Sequence, residues 1–334
     1  MRKLFVMCLM VFAQTAIINA QAPAIEWQKT YGGQSIDYAT SAKQTPDGGY
    51  IIGGYSGSTG YDLTSWRDGY FYWLLKISPL GVKEWDRAYG GTKNDYLYDV
   101  QVTSDGGYVL AGASNSVDGD ITNNKGNYDF WIVKVSANGS LEWQKSYGGS
   151  PGSDFAYSIK QTSDGGYIFA GSTGSNNMDV INKRGNGNDY WVVKTDISGN
   201  IQWQKTYGGD GDDVAKSIQL TSDGGYIIGG SSTSNNKDIT NAKGGGDYWV
   251  IKISDIGVLE WEKSYGGTSL DEAEDIKQTN DGGYIIVGRS SSVNGDVTVK
   301  YGSFDYWIVK VDSIGNILWE KTFGDTLGDV AKSV

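Results

Sequence analysis

The chain has 334 residues, with 39 acidic against 28 basic side chains, a formal charge of −11, no histidine and one cysteine. A charge of that sign repels nucleic acid and anionic membrane surfaces. The lack of histidine excludes Ser-His-Asp hydrolysis, Cys-His catalysis and histidine-ligated zinc or copper, and a lone cysteine excludes an internal disulfide framework.

Residues 1–20 read as a secretory signal peptide. Arg2 and Lys3 open it, an apolar run from Leu4 to Ala13 comes next, and it ends in Ile18-Asn19-Ala20. Cleavage after Ala20 leaves 21–334 as the mature chain. Cys8 lies in the apolar run without the context of a lipid anchor, so no acyl tether is expected. No later stretch approaches the roughly 18 to 20 apolar residues of a membrane span. The expected product is secreted or displayed at the cell surface, monomeric, with no membrane span and no nucleic-acid partner.

From there the chain repeats itself. TPDGGYIIGG at 45 returns as TSDGGYVLAG at 103, TSDGGYIFAG at 162, TSDGGYIIGG at 221 and TNDGGYIIVG at 279. Trp27, Trp85, Trp143, Trp203, Trp261 and Trp319 are spaced by 58 or 60 residues. A repeat of that length, rich in β-branched and aromatic residues, predicts a radial array of small antiparallel sheets.

One period reads as four strands: DVAKSIQLT (213–221), GYIIGGSS (225–232), DYWVIKIS (247–254) and VLEWEKSYG (258–266). They are lettered A to D from the axis outwards. Asp-Gly-Gly is the A–B turn, where glycine takes positive φ and the aspartate can bond nearby N–H groups. Strand B carries paired glycines for close backbone approach, strand C is apolar throughout, and strand D alternates as an outer strand should.

The motifs W-x-K-x-Y-G-G and D-x-A-x-S-I-x-Q-T-x-D-G-G-Y-I-I-x-G resemble the repeats of bacterial secreted β-propellers of the Bacteroidota type, over essentially all of 25–334. The strand order is also similar to kelch blades, and T-x-D-G-G-Y to the Asp-box of sialidases, although a hairpin turn accounts for that motif. The predicted fold is an all-β propeller of four-stranded antiparallel blades, with five complete repeats of about 58 residues and a partial sixth. The chain opens on an outer strand and ends at AKSV within an inner one, which reads as a truncated reading frame. The resemblance implies a C-terminal sorting domain beyond it. A five-bladed ring with overlapping ends is the alternative.

Any ligand is expected on the face carrying the long B–C and D–A loops, which can vary without disturbing the stack. Asp118, Asp120, Asp129 and Asp296 lie in those loops and are the candidate metal ligands, with calcium the ion that such oxygen donors suit; turn capping is the other reading, and then no cofactor is needed. The aspartates of YGG-x-x-x-D and the strand-C lysines recur in every blade, so they are read as turn-fixing and ion-pairing groups.

Exceptions to the repeat carry the functional candidates. Asp99 and Asp275 replace the serine seen at Ser41, Ser158 and Ser217, Glu272 and Glu274 crowd the same strand, and Arg289 stands where other blades have Tyr55, Ala113, Ser172 or Ser231. Arg289 is expected opposite Glu274 or Asp275, as a balanced ion pair or as part of a carboxylate site for acid–base work. In blade one Tyr61, Trp66, Arg67 and Tyr70 are the candidate ligand-binding residues, with Trp66 either stacking on a sugar or partner side chain or folding back over the blade edge. The leading expectation is a non-catalytic binding module for glycan or protein; a hydrolase or lyase using carboxylates and a structural surface component are the alternatives.

Overall fold

The computed structural model describes residues 24–334. The expected signal peptide, its cleavage point and Cys8 lie outside the described residues. The described chain forms twenty strands in five four-stranded antiparallel sheets, each a consecutive meander. Blade one is β1 (Asp37–Gln44), β2 (Tyr50–Ser56), β3 (Phe71–Ile77) and β4 (Lys83–Tyr89). Blades two to five begin at β5 (Asp95–Val102), β9 (Asp154–Gln161), β13 (Asp213–Leu220) and β17 (Asp271–Gln278), and the last strand is β20 (Ile317–Phe323). In the fourth repeat β13, β14 (Tyr226–Ser232), β15 (Asp247–Ile253) and β16 (Leu259–Tyr265) fall within one residue of the expected A to D segments. No strand is formed by residues 324–334.

Consecutive blades meet through their inner strands, β1 with β5, β5 with β9, β9 with β13 and β13 with β17. The hydrophobic core lies between blades rather than within them. Trp191 of blade three packs with Phe130 and Ile132 of blade two, and Trp249 of blade four packs with Tyr190 and Val192 of blade three. Successive residues of a strand point to opposite faces, so the Tyr-Trp pair of strand C serves both neighbours at once. Trp249 faces the preceding blade, where Tyr190 lies 4.5 Å away, and Tyr248 faces the following one, 4.6 Å from Trp307. The hydroxyls of Tyr72, Tyr190 and Tyr248 donate across the junction to the carbonyls of Trp131, Trp249 and Trp307. A Cβ at Gly230 would collide with the Val214 carbonyl and crowd the Tyr190 hydroxyl, which accounts for glycine in strand B.

The repeated turn has a second task. Gly106 adopts φ 82°, and Asp105 accepts hydrogen bonds from Thr103 at 2.5 Å and from the Gly107 amide at 3.0 Å. The other Asp105 oxygen lies 2.9 Å from Lys134 Nζ. That buried lysine also meets Glu142 at 2.9 Å and donates to the Val135 carbonyl at 3.2 Å. Burial pushes Asp105 up, but the bonds from Thr103, Gly107 and Lys134 outweigh it and hold the group at about 2. Lys134→Met is expected to cost about 1–2 kcal/mol, less than a fully buried pair because both carboxylates are half exposed. Carboxylate NMR should then show Asp105 titrating closer to the ordinary 3.8; an unmoved titration would assign its low value to the turn alone.

Candidate functional site

Every inner strand contains a β-bulge. The ladder skips Thr40, Tyr98, Tyr157, Lys216 and Glu274 in the five blades. A bulge leaves its extra residue unpaired and re-aims the side chain, and here the bulged residues meet one another around the hub. Tyr98 and Tyr157 lie 4.9 Å apart, and the Lys216 ammonium sits 4.0 Å above the Tyr157 ring. Burial lowers the pKa of Lys216, while the charge of Glu274 acts in the other direction.

Toward the long-loop face a second tier of rings continues the first. Tyr128 lies 5.2 Å from Phe155, which lies 6.3 Å from Tyr157. Tyr96 joins Tyr128 at 5.8 Å and Tyr55 at 5.0 Å, and Tyr38 closes on Tyr55 at 4.8 Å. Tyr70 packs on both Tyr55 and Tyr96. Blades one to three thus present an arc of eight contiguous aromatic rings. Burial comes first among the causes that raise the hydroxyl pKa of Tyr96, to about 12, with the neighbouring Tyr128 adding to it; that phenol is a neutral hydrogen-bonding group.

Blades four and five bring charge to the equivalent places. Arg289 pairs with Glu272, and its guanidinium lies 4.5 Å over the ring of Phe304. Lys332 meets Glu274 at 2.5 Å. The expected partner of Arg289 is therefore corrected: the bulge at Glu274 puts Asp275 opposite Val287 and Glu272 opposite Arg289.

The two aspartates that replace the inner-strand serine tie blades together. Asp99 accepts from Ser41 of blade one at 2.9 Å and from the Ile159 amide of blade three at 3.1 Å, with Lys43 and Lys160 each 3.6 Å away. Asp275 accepts from Ser217 at 2.7 Å and from Ser333 at 3.1 Å. Their oxygens are occupied by the fold.

Asp118, Asp120 and Asp296 seat the D–A turns beside their loops, while Asp129, expected in a loop, is the first residue of strand C and holds its own B–C loop. Asp118 accepts from the Thr92 amide and hydroxyl at 2.8 Å, Asp120 from the Gly90 amide at 3.0 Å, Asp296 from the Gly266 amide at 3.1 Å, and Asp129 from the Lys125 amide. Among the described residues no group of three or more carboxylates is placed to hold a metal ion. Of the blade-one candidates, Tyr70 enters the aromatic arc. Arg67 pairs with Asp120 of the next blade at 3.2 Å, while Trp66 and Tyr61 stand exposed on the loop.

Tyr38, Tyr96, Phe155, Tyr98, Tyr157 and Tyr128 are not among the residues that sequence alone singles out. The signal is present: they occupy the repeat positions taken by Val214, Lys216 and Gly246 in blade four, as Tyr55 shares its position with Arg289.

The chain is a protein of the β-propeller class, built from five four-stranded blades. No protein family model matches it. A regulatory protein designated FlaEY, from Caulobacter vibrioides, is 26% identical over 236 residues, covering 66% of this chain and 24% of that protein. The chain thus spans about a quarter of that relative's length. Among solved structures, a protein of unknown function from Bacteroides caccae aligns over 87% of this chain and 83% of its own, with 11% identity and a TM-score of 0.47. The Pan2 WD40 domain of Neurospora crassa aligns over 88% and 75%, with 10% identity and a TM-score of 0.47. A GH43 β-xylosidase/α-arabinofuranosidase from a compost metagenome aligns over 84% and 93%, with 12% identity and a TM-score of 0.39.

Proposed function

We propose that the protein is a secreted or cell-surface binding module whose ligand, a glycan, lies across the hub mouth on the long-loop face. The observation that carries this reading is the aromatic arc. Eight rings in contact, partly exposed and facing a polar sector, present flat apolar faces beside hydroxyl groups, the combination on which sugar rings stack while their hydroxyls hydrogen-bond. Glu272, Arg289, Glu274 and Lys332 supply donors and acceptors opposite, and Lys216 bridges the two sectors. Two of the carboxylates are already held by cations, so neither is free to carry a proton to a leaving group.

Tyr128→Ala and Phe155→Ala are each expected to weaken glycan binding about tenfold, as the loss of one stacking ring does, without lowering the unfolding midpoint by more than a few degrees. A glycan array followed by calorimetry on its best hit measures this. Equal affinity in the variants overturns the assignment. Turnover of chromogenic glycosides that is abolished by Glu274→Gln replaces it with the hydrolase reading.

A further inference from the structure

Of the five bulged residues at the hub, four have their interactions supplied by the fold. Thr40 donates to the Leu97 carbonyl at 2.9 Å, Tyr98 and Tyr157 pack ring against ring, and Glu274 is held by Lys332. Lys216 is the exception. Among the described residues no carboxylate pairs with its ammonium and no oxygen accepts a hydrogen bond from it; its contact is the face of the Tyr157 ring, 4.0 Å away. Two other lysines of inner strands are provided for differently. Lys43 and Lys160 each stand 3.6 Å from Asp99, and Lys160 also donates to the Ile159 carbonyl at 3.2 Å.

The acids that act on Lys216 are Glu274 and Glu272, whose charges favour its ammonium without touching it. Both are already matched, Glu274 by Lys332 and Glu272 by Arg289. Three cations thus face two carboxylates, and one positive charge is left over on a half-buried side chain. Burial works against that ammonium and lowers its pKa, because a charge taken partly out of water loses hydration that a ring face replaces only in part. A bound anion would replace the rest through charge-assisted hydrogen bonds.

The place of this charge ties it to the aromatic arc. Tyr128, Phe155 and Tyr157 follow one another at 5.2 and 6.3 Å, with ring planes inclined by only 28° and 16°. The last of these rings lies under the Lys216 ammonium. A ligand stacked on Tyr128 and Phe155 therefore meets Lys216 where the ring surface ends.

We propose that the ligand is an acidic glycan and that Lys216 takes its acid group, a singly charged oxyanion such as a uronic acid carboxylate or a sulfate ester. This rests on the reading of the long-loop mouth as a glycan site. The charge balance sets the valence. A monoanion matches the one cation left over, whereas a phosphate monoester, close to doubly charged at neutral pH, brings a second negative charge toward Glu272 and Glu274 with nothing to offset it.

The test follows the Lys216 side-chain nitrogen by NMR in lysine-labelled protein, with Lys216→Gln identifying its signal. The probes are glucuronate, galacturonate, the neutral methyl ester of glucuronic acid, and the primary sulfate and phosphate esters of glucose. A uronate or the sulfate ester is expected to shift the signal saturably, to bind about tenfold or more tighter than the neutral ester, and to outbind the phosphate. The tighter of the two names the acid group. In Lys216→Gln acid and neutral ester should bind alike, while Lys216→Arg should keep the preference. A signal unmoved by every acid up to about 100 mM overturns the inference, as does equal affinity for acid and neutral ester, or tighter binding of the phosphate. After any of these results the glycan reading still stands if Tyr128→Ala weakens binding of the best neutral glycan. Acetate and inorganic sulfate binding as tightly as the sugar acids, undiminished in Tyr128→Ala, would overturn the glycan reading and this inference together.

Discussion

Trp191→Ala is expected to lower the unfolding free energy by about 3–5 kcal/mol, at the upper end for a buried aromatic. The side chain is fully buried, lies 4.5 Å from Phe130 of the preceding blade, and its indole N–H donates to Gln204 at 2.8 Å. Its cluster joins Val109, Ala111 and Ile132 of blade two to Ile159, Phe169 and Val193 of blade three. Truncation therefore opens a cavity in a junction between sheets and strips a buried amide of its partner, two losses that add. Relaxation is limited because the sheets on both sides are hydrogen-bonded units that shift as wholes. Urea unfolding measures the effect, with Trp66→Ala on the exposed loop as a control expected within about 0.5 kcal/mol of the parent. A Trp191 variant as stable as that control would mean the blades are held together by something other than their facing apolar surfaces.

The second large effect is on pH. Asp129, Asp189 and Asp247 open strand C in three blades, are fully or almost fully buried, and each has one oxygen without a hydrogen-bond partner. Each shares the surroundings of one loop glycine with the first aspartate of the next blade: Asp129 with Asp154 about Gly148, Asp189 with Asp213 about Gly208, and Asp247 with Asp271 about Gly266. Burial, with the neighbouring carboxylate adding to it, pushes Asp129 up to about 7 and Asp189 and Asp247 to about 6.

A folded-state value above the unfolded 3.8 means the native protein holds more protons than the unfolded chain between about pH 4 and 7. Stability from these groups is complete below pH 4 and is lost as the pH rises through 6 to 7. Asp105, Asp164 and Asp223, each held at about 2, act the other way and withdraw their contribution only as the pH falls below 4. The unfolding midpoint should peak near pH 4 to 5 and fall by about 5 °C or more on the way to pH 8. Replacing Asp129, Asp189 and Asp247 together by asparagine should flatten that fall. A midpoint rising steadily from pH 4 to 8 would show that these pairs are solvated and fully ionised.

How much of the molecule is legible in its sequence depends on what repetition can report. DGGYIIGG and DYWVIK mark strands B and C because each copy faces the same surroundings, so the strand boundaries emerge to within a residue. Repetition also separates assembly from individuality: Lys134 recurs and proves to be an anchor for the Asp105 turn. The bulge is not legible, because an unpaired residue at Tyr98 or Glu274 depends on how the strand meets its neighbour rather than on composition. Missing it misplaces the partner of Arg289. The rings of the hub mouth are hidden for another reason. They sit in four separate positions of the repeat, and only the radial arrangement gathers Tyr55, Tyr96, Tyr128 and Phe155 into one surface. Asp99 and Asp275 stand out correctly as exceptions, yet the hydrogen bonds that occupy them run to other blades and cannot be counted along one strand.

The inner-strand bulge has a consequence for how such a protein changes over time. Because the strand pairing skips Tyr98, Tyr157, Lys216 and Glu274, these positions can be exchanged with little change to the ladder of their sheets, whereas Thr40 also donates to the Leu97 carbonyl of the next blade. The array of blades behaves as a lock with separately replaceable pins. New specificities can be reached one spoke at a time, with no intermediate that must first surrender its fold.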